Sequence, residues 1–391
     1  MLSRLFLLLA LAAAFAVPAA VVGAVPARAA VETSAEHGLI LDAQTGQILW
    51  QKEGLTPMPP ASMSKLMTIE LLFQRLKDGR VKLTDTFPVS QRAWSTQGSK
   101  MFVELGARIP VEDLIRGIII QSGNDACVVV AESLGGTLEG FVDLMNKRAK
   151  QLGLAQSTFV NPDGLPDPPG QLMSALDLAK LSRHLINDYP EYYHYFSERE
   201  FVWHNIHQPN RDLVLGSLPG ADGLKTGHTD ASGYGITISA KRDNQRLILV
   251  LNGLRYPQYH NDYFPNLKRA EEAARVMDMA FREFRSYPVL TTNQVLGSVP
   301  VTGGEKPDVA VTAAHALNVT MQVDSHSGMK TQLKADPGLA APVHVGQKVG
   351  VLLISAPDFP GLTVPVYATE SVAQQGFLGK MAQSIQHLWK K

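Results

Sequence analysis

Cysteine is nearly absent: Cys127 is the 1 thiol in 391 residues, which excludes a disulfide framework and any zinc cluster built on thiolates. Net charge is missing as well. With 36 basic residues balancing 36 acidic ones, the basic footprint of a nucleic-acid binder is not there, and no nucleic-acid partner is expected. Charged residues are scarce, 18% of the chain against about 25% in an average soluble domain, while 45% are hydrophobic. That apolar share excludes wholesale disorder and is enough for a sizeable core. His37, His184, His194, His204, His207, His260 and the others are scattered without metal-ligand spacing, so neither a metal nor another cofactor is expected. No internal repeat is found. At about 150 residues per domain, the length suggests two or three domains.

What is present begins with the two ends. Residues 1–29 read as a signal peptide: Arg4 is the positive start, 5–17 the apolar stretch, and Ala27-Arg28-Ala29 a small-x-small cleavage site. A retained membrane span competes with that reading, but Pro18, Pro26 and the alanine-rich second half weaken it. Either way the folded part is expected outside the cytoplasm. At the other end, in 375–391, Phe377, Leu378, Met381, Ile385, Leu388 and Trp389 fall in one arc of about 120° at 100° per residue. Lys380, Lys390 and Lys391 lie opposite, as in an interfacial anchor holding the protein to a membrane surface.

Between the ends, residues 39–50 alternate and turn like a hairpin. Helical spacing predicts helices over 62–77, 111–121, 125–134, 138–152 and 175–187. Three strands follow at 223–228, 234–241 and 246–254, then a long helix at 267–284. Helices gathered between early and late strands of one sheet make an α/β or α+β domain, taken as 30–286. Residues 289–370 hold few charges and many Val, Gly and Pro in short alternating segments, which predicts a small all-β module of sandwich type.

Three short motifs carry chemistry. In Ser62-Met63-Ser64-Lys65, at a helix start, residues three apart share a face, so the Ser62 hydroxyl and the Lys65 amine can meet. A hydroxyl becomes a nucleophile when a base takes its proton, and a lysine can do so once burial lowers its pKa. Ser122-Gly123-Asn124 falls in a break between two apolar segments, where a hydroxyl and a carboxamide can relay a proton and hold an amide. Lys225-Thr226-Gly227-His228 lies on the first late strand. There a lysine and a hydroxyl can bind a carboxylate, Gly227 leaves room for a substrate backbone, and the His228 N–H can complete an oxyanion hole with that of Ser62. Each tripeptide or tetrapeptide alone is equally an ordinary cap, turn or edge strand.

Jointly they are not ordinary. Ser-x-x-Lys, Ser-x-Asn and Lys-Thr-Gly in this order are the signature of penicillin-binding proteins and class A β-lactamases. The flanking Pro59-Pro60-Ala61, Asp125-Ala126-Cys127, Gln208-Pro209-Asn210-Arg211 and Asp222-Gly223-Leu224 sharpen the match. Over nearly the whole mature chain the sequence resembles the low-molecular-mass penicillin-binding proteins, specifically the D-alanyl-D-alanine carboxypeptidases of type 5. The resemblance implies a penicillin-binding, β-lactamase-like domain with an antiparallel sheet and a helical subdomain, followed by the β-rich domain and the amphipathic helix. It implies removal of the terminal D-alanine from peptidoglycan pentapeptides, with β-lactams as covalent inhibitors.

Residue by residue, the resemblance makes Ser62 the acylated nucleophile, Lys65 its base and Ser122 a member of the proton relay. Asn124 would hold the substrate amide, Lys225 support the electrostatics, and Thr226 bind the terminal carboxylate. Arg269 matches the arginine that neutralises that carboxylate, although 256–264 looks like an insertion just before it. Many relatives carry histidine where this chain has Asp163, which leaves that loop's role open. Cys127, within an apolar helix, reads as a buried inert thiol. Arg211 fits a salt bridge or a substrate contact equally. Residues 159–170 offer Asp163 and Asp167 but no Glu-x-x-x-Asn, which argues against a class A β-lactamase. Endopeptidase action on cross-links uses the same motifs, and oligomeric state is not readable.

Overall fold

A five-stranded antiparallel sheet forms the centre of the first domain in the computed structural model, which describes residues 31–261 and 263–376. The expected leader at 1–29, and the anchor helix apart from Gln375 and Gly376, lie outside the described residues. The hairpin of β1 (His37–Asp42) and β2 (Ile48–Lys52) comes first. Six helices follow: α1 (Lys65–Lys77), α2 (Gln91–Ser95), α3 (Val111–Ile119), α4 (Asn124–Gly135), α5 (Leu138–Gln151) and α6 (Ala175–Asp188). Two short ribbons interrupt the helical region, β3 (Thr86–Pro88) with β4 (Arg108–Pro110) and β5 (Glu200–Trp203) with β6 (Ile206–Pro209). Neither was anticipated, because strands of three or four residues are too short to show an alternating pattern.

The sheet is then completed from far along the chain by β7 (Ala221–Thr229), β8 (Gly233–Arg242) and β9 (Gln245–Leu254), in the order β2-β1-β9-β8-β7. The apolar run Leu247–Leu251 explains the central place of β9. Ile248 and Val250 join Leu39 and Leu41 in the core shared with the helices. The alternate residues Leu247, Leu249 and Leu251 are equally buried, toward the other face. The helix α7 (Tyr263–Glu283) packs on β8 and β9 through Ala270, Ala273, Val276, Met277 and Ala280, one stripe at helical spacing. It starts earlier than the expected 267, so Tyr263 and Phe264 of the apparent insertion form its first turn.

The remaining strands form the expected all-β module: β10 (Phe284–Leu290), β11 (Gly297–Pro300), β12 (Asp308–Ala313), β13 (Leu317–Gln322), β14 (Lys330–Ala335), β15 (Lys348–Ala356) and β16 (Phe359–Ala368). A five-stranded sheet, β11-β12-β16-β15-β14, is joined by the ribbon β10-β13. Val309, Val311 and Ala313 alternate inward from β12 onto Val319, Val349, Ile354 and Val366. The module touches the first domain through β13, where the Thr320 hydroxyl donates to the buried Asp42 carboxylate at 2.5 Å.

Candidate active site

The two prolines before Ala61 keep the chain extended until it enters a tight turn. Ala61–Ser64 is a 3-10 helix and α1 begins only at Lys65, so the expected helix over 62–77 divides in two. This matters for the chemistry. A 3-10 turn has three residues per turn, and residues i and i+3 eclipse. The Lys65 Nζ therefore sits directly over the Ser62 hydroxyl, donating to Oγ at 2.7 Å. Ala61, just before the nucleophile candidate, has φ +48°, a left-handed conformation that costs a non-glycine residue about 1–3 kcal/mol. Ser62 itself is partly exposed, whereas Ser64 is buried and donates to the Ala61 carbonyl.

The second motif is brought in by the start of α4. Lys65 Nζ also donates to Asn124 Oδ1 at 2.8 Å, and Asn124 Nδ2 donates to the Gln97 carbonyl at 2.7 Å. Ser122 has φ +59°, a second left-handed residue in the site. Asp125 explains how the loop is held. Its carboxylate accepts from the backbone N–H groups of Met101, Phe102, Val103 and Ala126, which pins the 101–103 segment against the first turn of α4. Behind it Cys127 is fully buried, and burial pushes its thiol up to about 12, as an inert thiol requires.

The third motif lies on β7, the edge strand of the sheet among the described residues. Lys225 Nζ donates to Ser122 Oγ and to the Thr226 carbonyl, both at 3.0 Å. Thr226 is buried. Gly227 is required by the packing of the protein's own backbone. A Cβ there would lie 2.9 Å from the Pro60 carbonyl and 3.1 Å from the Ser62 and Met63 nitrogens. The backbone that needs the room is the protein's own nucleophile turn. His228 is exposed, with its ring stacked on Tyr234 at 3.8 Å between centroids.

Arg269 reaches the back of this strand from α7, donating to the Gly227 carbonyl at 3.3 Å and the Arg211 carbonyl at 3.5 Å, with its guanidinium over the Tyr234 ring. Arg269 is 2% exposed, and burial lowers its pKa to about 10, with Asp212 working against that shift. Burial likewise raises Asp212 to about 6. Among the described residues Arg269 Nε has no hydrogen-bond partner, so the guanidinium is held by two long bonds to carbonyls and by the charge of Asp212. Arg211 Nη1 donates to Ser99 Oγ at 2.6 Å.

Electrostatically the site is two buried amines side by side. Burial lowers the pKa of Lys65 and, more strongly, that of Lys225; Lys65 and Arg211 push Lys225 further down. All nine expected residues thus fall around one strand edge. Sequence reasoning missed Gln97, Asp125 and Asp212, and left Asp163 unassigned; a carboxylate directly after Asn124 at a helix start was the signal available for Asp125.

The family model for D-alanyl-D-alanine carboxypeptidases matches residues 24–254. The chain belongs to this family. A second model, the C-terminal domain of penicillin-binding protein 5, matches residues 284–374 of the carboxypeptidase, which is the β-rich module. The D-alanyl-D-alanine carboxypeptidase DacC of Escherichia coli K12 is 34% identical over 365 residues, covering 90% of this chain and 88% of DacC. The structure of penicillin-binding protein 5 from Haemophilus influenzae superimposes with a TM-score of 0.78 at 32% identity, over 88% of this chain and 98% of that one. Penicillin-binding protein D2 of Listeria monocytogenes, in an ampicillin-bound form, matches 64% of this chain and 98% of its own with a TM-score of 0.57 at 26% identity. The protein is a serine-type D-alanyl-D-alanine carboxypeptidase with the two-domain architecture of penicillin-binding protein 5.

Proposed function

We propose that this carboxypeptidase releases the terminal D-alanine of peptidoglycan pentapeptides through an acyl-enzyme on Ser62. The observation that carries the assignment is the pair of hydroxyl–amine contacts, Lys65 on Ser62 at 2.7 Å and Lys225 on Ser122 at 3.0 Å. In its neutral form Lys65 takes the Ser62 proton as Oγ attacks the carbonyl of the penultimate D-alanine. The backbone N–H groups of Ser62 and His228 stabilise the oxyanion. When the peptide bond breaks, the departing D-alanine nitrogen takes a proton along the Ser122–Lys225 relay. Water then attacks the ester, its proton passing to the Ser122–Lys225 relay, and Lys65 returns its proton to Ser62 as the ester bond breaks. Asn124 aligns the substrate amide, while Thr226 and Arg269, whose Nε is left without a hydrogen-bond partner among the described residues, receive the terminal carboxylate.

β-Lactams acylate the same serine and stay, because their leaving group remains tethered; the ampicillin-bound Listeria protein supports this reading. The test is an intact-mass measurement after penicillin treatment, alongside D-alanine release from a synthetic pentapeptide. One adduct on the Ser62 peptide together with released D-alanine is the expected result; an adduct elsewhere would overturn it. We also place the enzyme outside the cytoplasm, held to the membrane surface by the amphipathic 377–391 pattern. Deleting 375–391 is expected to move it from the membrane to the soluble fraction, and an unchanged membrane fraction would refute the anchor.

A further inference from the structure

The loop that follows α5 supplies a group the mechanism above does not use. Asn161 closes a turn, with Oδ1 accepting from the Gly164 N–H at 2.7 Å and Nδ2 donating to the Leu165 carbonyl at 2.8 Å. Gly164 presses the loop onto the nucleophile turn, since a Cβ there would lie 2.1 Å from the Ala61 carbonyl and 2.6 Å from Ser64 Oγ. Held this way, Asp163 gives its backbone carbonyl to Lys65 Nζ, and its side chain is buried with Oδ1 accepting from the Leu165 N–H at 3.0 Å.

The two amines of the site are therefore not equivalent. An ammonium has three N–H donors. Lys65 meets three acceptors, Ser62 Oγ, Asn124 Oδ1 and the Asp163 carbonyl, which suits the protonated form. Lys225 meets two, Ser122 Oγ and the Thr226 carbonyl. The charged and titratable groups facing Lys65 are Asp163 from the loop, Cys127 and Asp125 from α4, Arg211 from the segment before β7, and Lys225 from β7 itself. Asp125 spends its carboxylate on four backbone N–H groups, and Cys127 is an uncharged thiol. Asp163 is the remaining carboxyl on the Lys65 side. Burial lowers the Lys65 pKa and raises that of Asp163, and the charge of each works against the other's shift.

We infer that Asp163 is a positioning residue acting through Lys65: its buried carboxyl retains a proton on that amine and so sets the pH above which Ser62 becomes reactive. The inference rests on the Ser62–Lys65 assignment and adds a control element to it. Its sign follows directly. Removing the negative charge destabilises the Lys65 ammonium, so the neutral amine persists to lower pH and the acid limb of Ser62 acylation moves toward acid.

The experiment is the pH dependence of the acylation rate by a fluorescent penicillin, measured with the full chain. Asp163→Asn keeps an oxygen for the Leu165 N–H and removes the charge. It is expected to move the acid limb down by about one pH unit, the lower end for an opposite charge close to a titrating group, giving about tenfold faster acylation below the wild-type limb. Above the limb the rate stays level or falls slightly, as a weaker base predicts. Asp163→Glu retains the charge and the wild-type limb. Should the Asn variant not fold, Asp163→His, neutral above about pH 6.5, gives the same comparison. A limb unmoved in the uncharged variants, with only a lower plateau, reduces Asp163 to loop structure and overturns the inference. Wild-type enzyme that is never labelled at Ser62 removes the underlying assignment instead, so the two failures are distinguishable.

Discussion

Ser62→Ala loses covalent labelling by penicillin, and its D-alanine release falls by about 10⁴-fold or more, the scale on which removing a nucleophile acts in acyl-transfer sites. The reason is that no other hydroxyl is placed to substitute. Ser64 Oγ is buried and turned back onto the Ala61 carbonyl, and Ser122 is 2% exposed and engaged by Lys225. Folding is little affected, because Ser62 gives Lys65 one of three acceptors and the loss of one hydrogen bond costs about 1 kcal/mol. Ground-state binding of a D-alanyl-D-alanine ligand is expected to survive within a few-fold, since Thr226 and Arg269 are untouched. Intact-mass analysis with penicillin and a D-alanine release assay check the result. Persistent labelling in the alanine variant would move the nucleophile elsewhere and dismantle the mechanism.

Lys225→Met shows the opposite signs for activity and stability. D-alanine release is expected to fall by about 10²–10⁴-fold, the usual weight of a proton-transfer group. The melting temperature is expected to rise. On folding, wild-type Lys225 must either bury an ammonium or surrender its proton, because burial and the neighbouring Lys65 and Arg211 hold its pKa well below 10.5. Methionine removes that cost, several kcal/mol for a buried ion, and leaves Ser122 Oγ and the Thr226 carbonyl each short of a donor at about 1 kcal/mol. The net gain is about 1–3 kcal/mol, or about 2–4 °C per kcal/mol for a domain of this size. Its pH dependence has a fixed sign. Between the lowered folded pKa and the unfolded value near 10.4 the unfolded chain binds more protons, so wild-type stability rises with pH across that window. The advantage of the methionine variant is therefore fully present below the window and vanishes by about pH 10.4. Thermal melts at neutral and alkaline pH measure this. A variant less stable than wild type at neutral pH would show that the buried amine is not a source of strain.

Both results depend on features of very different legibility. The Ser62–Lys65 contact is local, three residues apart, and its chemistry follows from spacing once a helical turn is assumed. The continuous apolar run in β9 announced a strand covered on both faces, and the alternation in β13 announced the β-rich module. The 3-10 character of the nucleophile turn was not legible, because it depends on Ala61 taking a left-handed conformation that nothing in its side chain favours. Nor was the packing of β7 on the nucleophile turn legible, which leaves no room for a Cβ at Gly227.

By itself, then, the order of residue types determined the reaction class: a hydroxyl, two amines, a carboxamide and a guanidinium in three recognisable neighbourhoods and one helix. Tertiary structure alone decided that Lys225 serves Ser122 and which distant groups hold Lys65. Lys65 meets Asn124 across 59 residues and Asp163 across 98, and Lys225 meets Ser122 across 103. Burial, not spacing, lowers the lysine pKa values, and burial exists only once the helical region closes over the edge of β7. A chain pattern of period 2 or 3.6 reports which face of an element turns inward. It carries no information about which distant polar group waits there, and the protonation of this site depends on that neighbour.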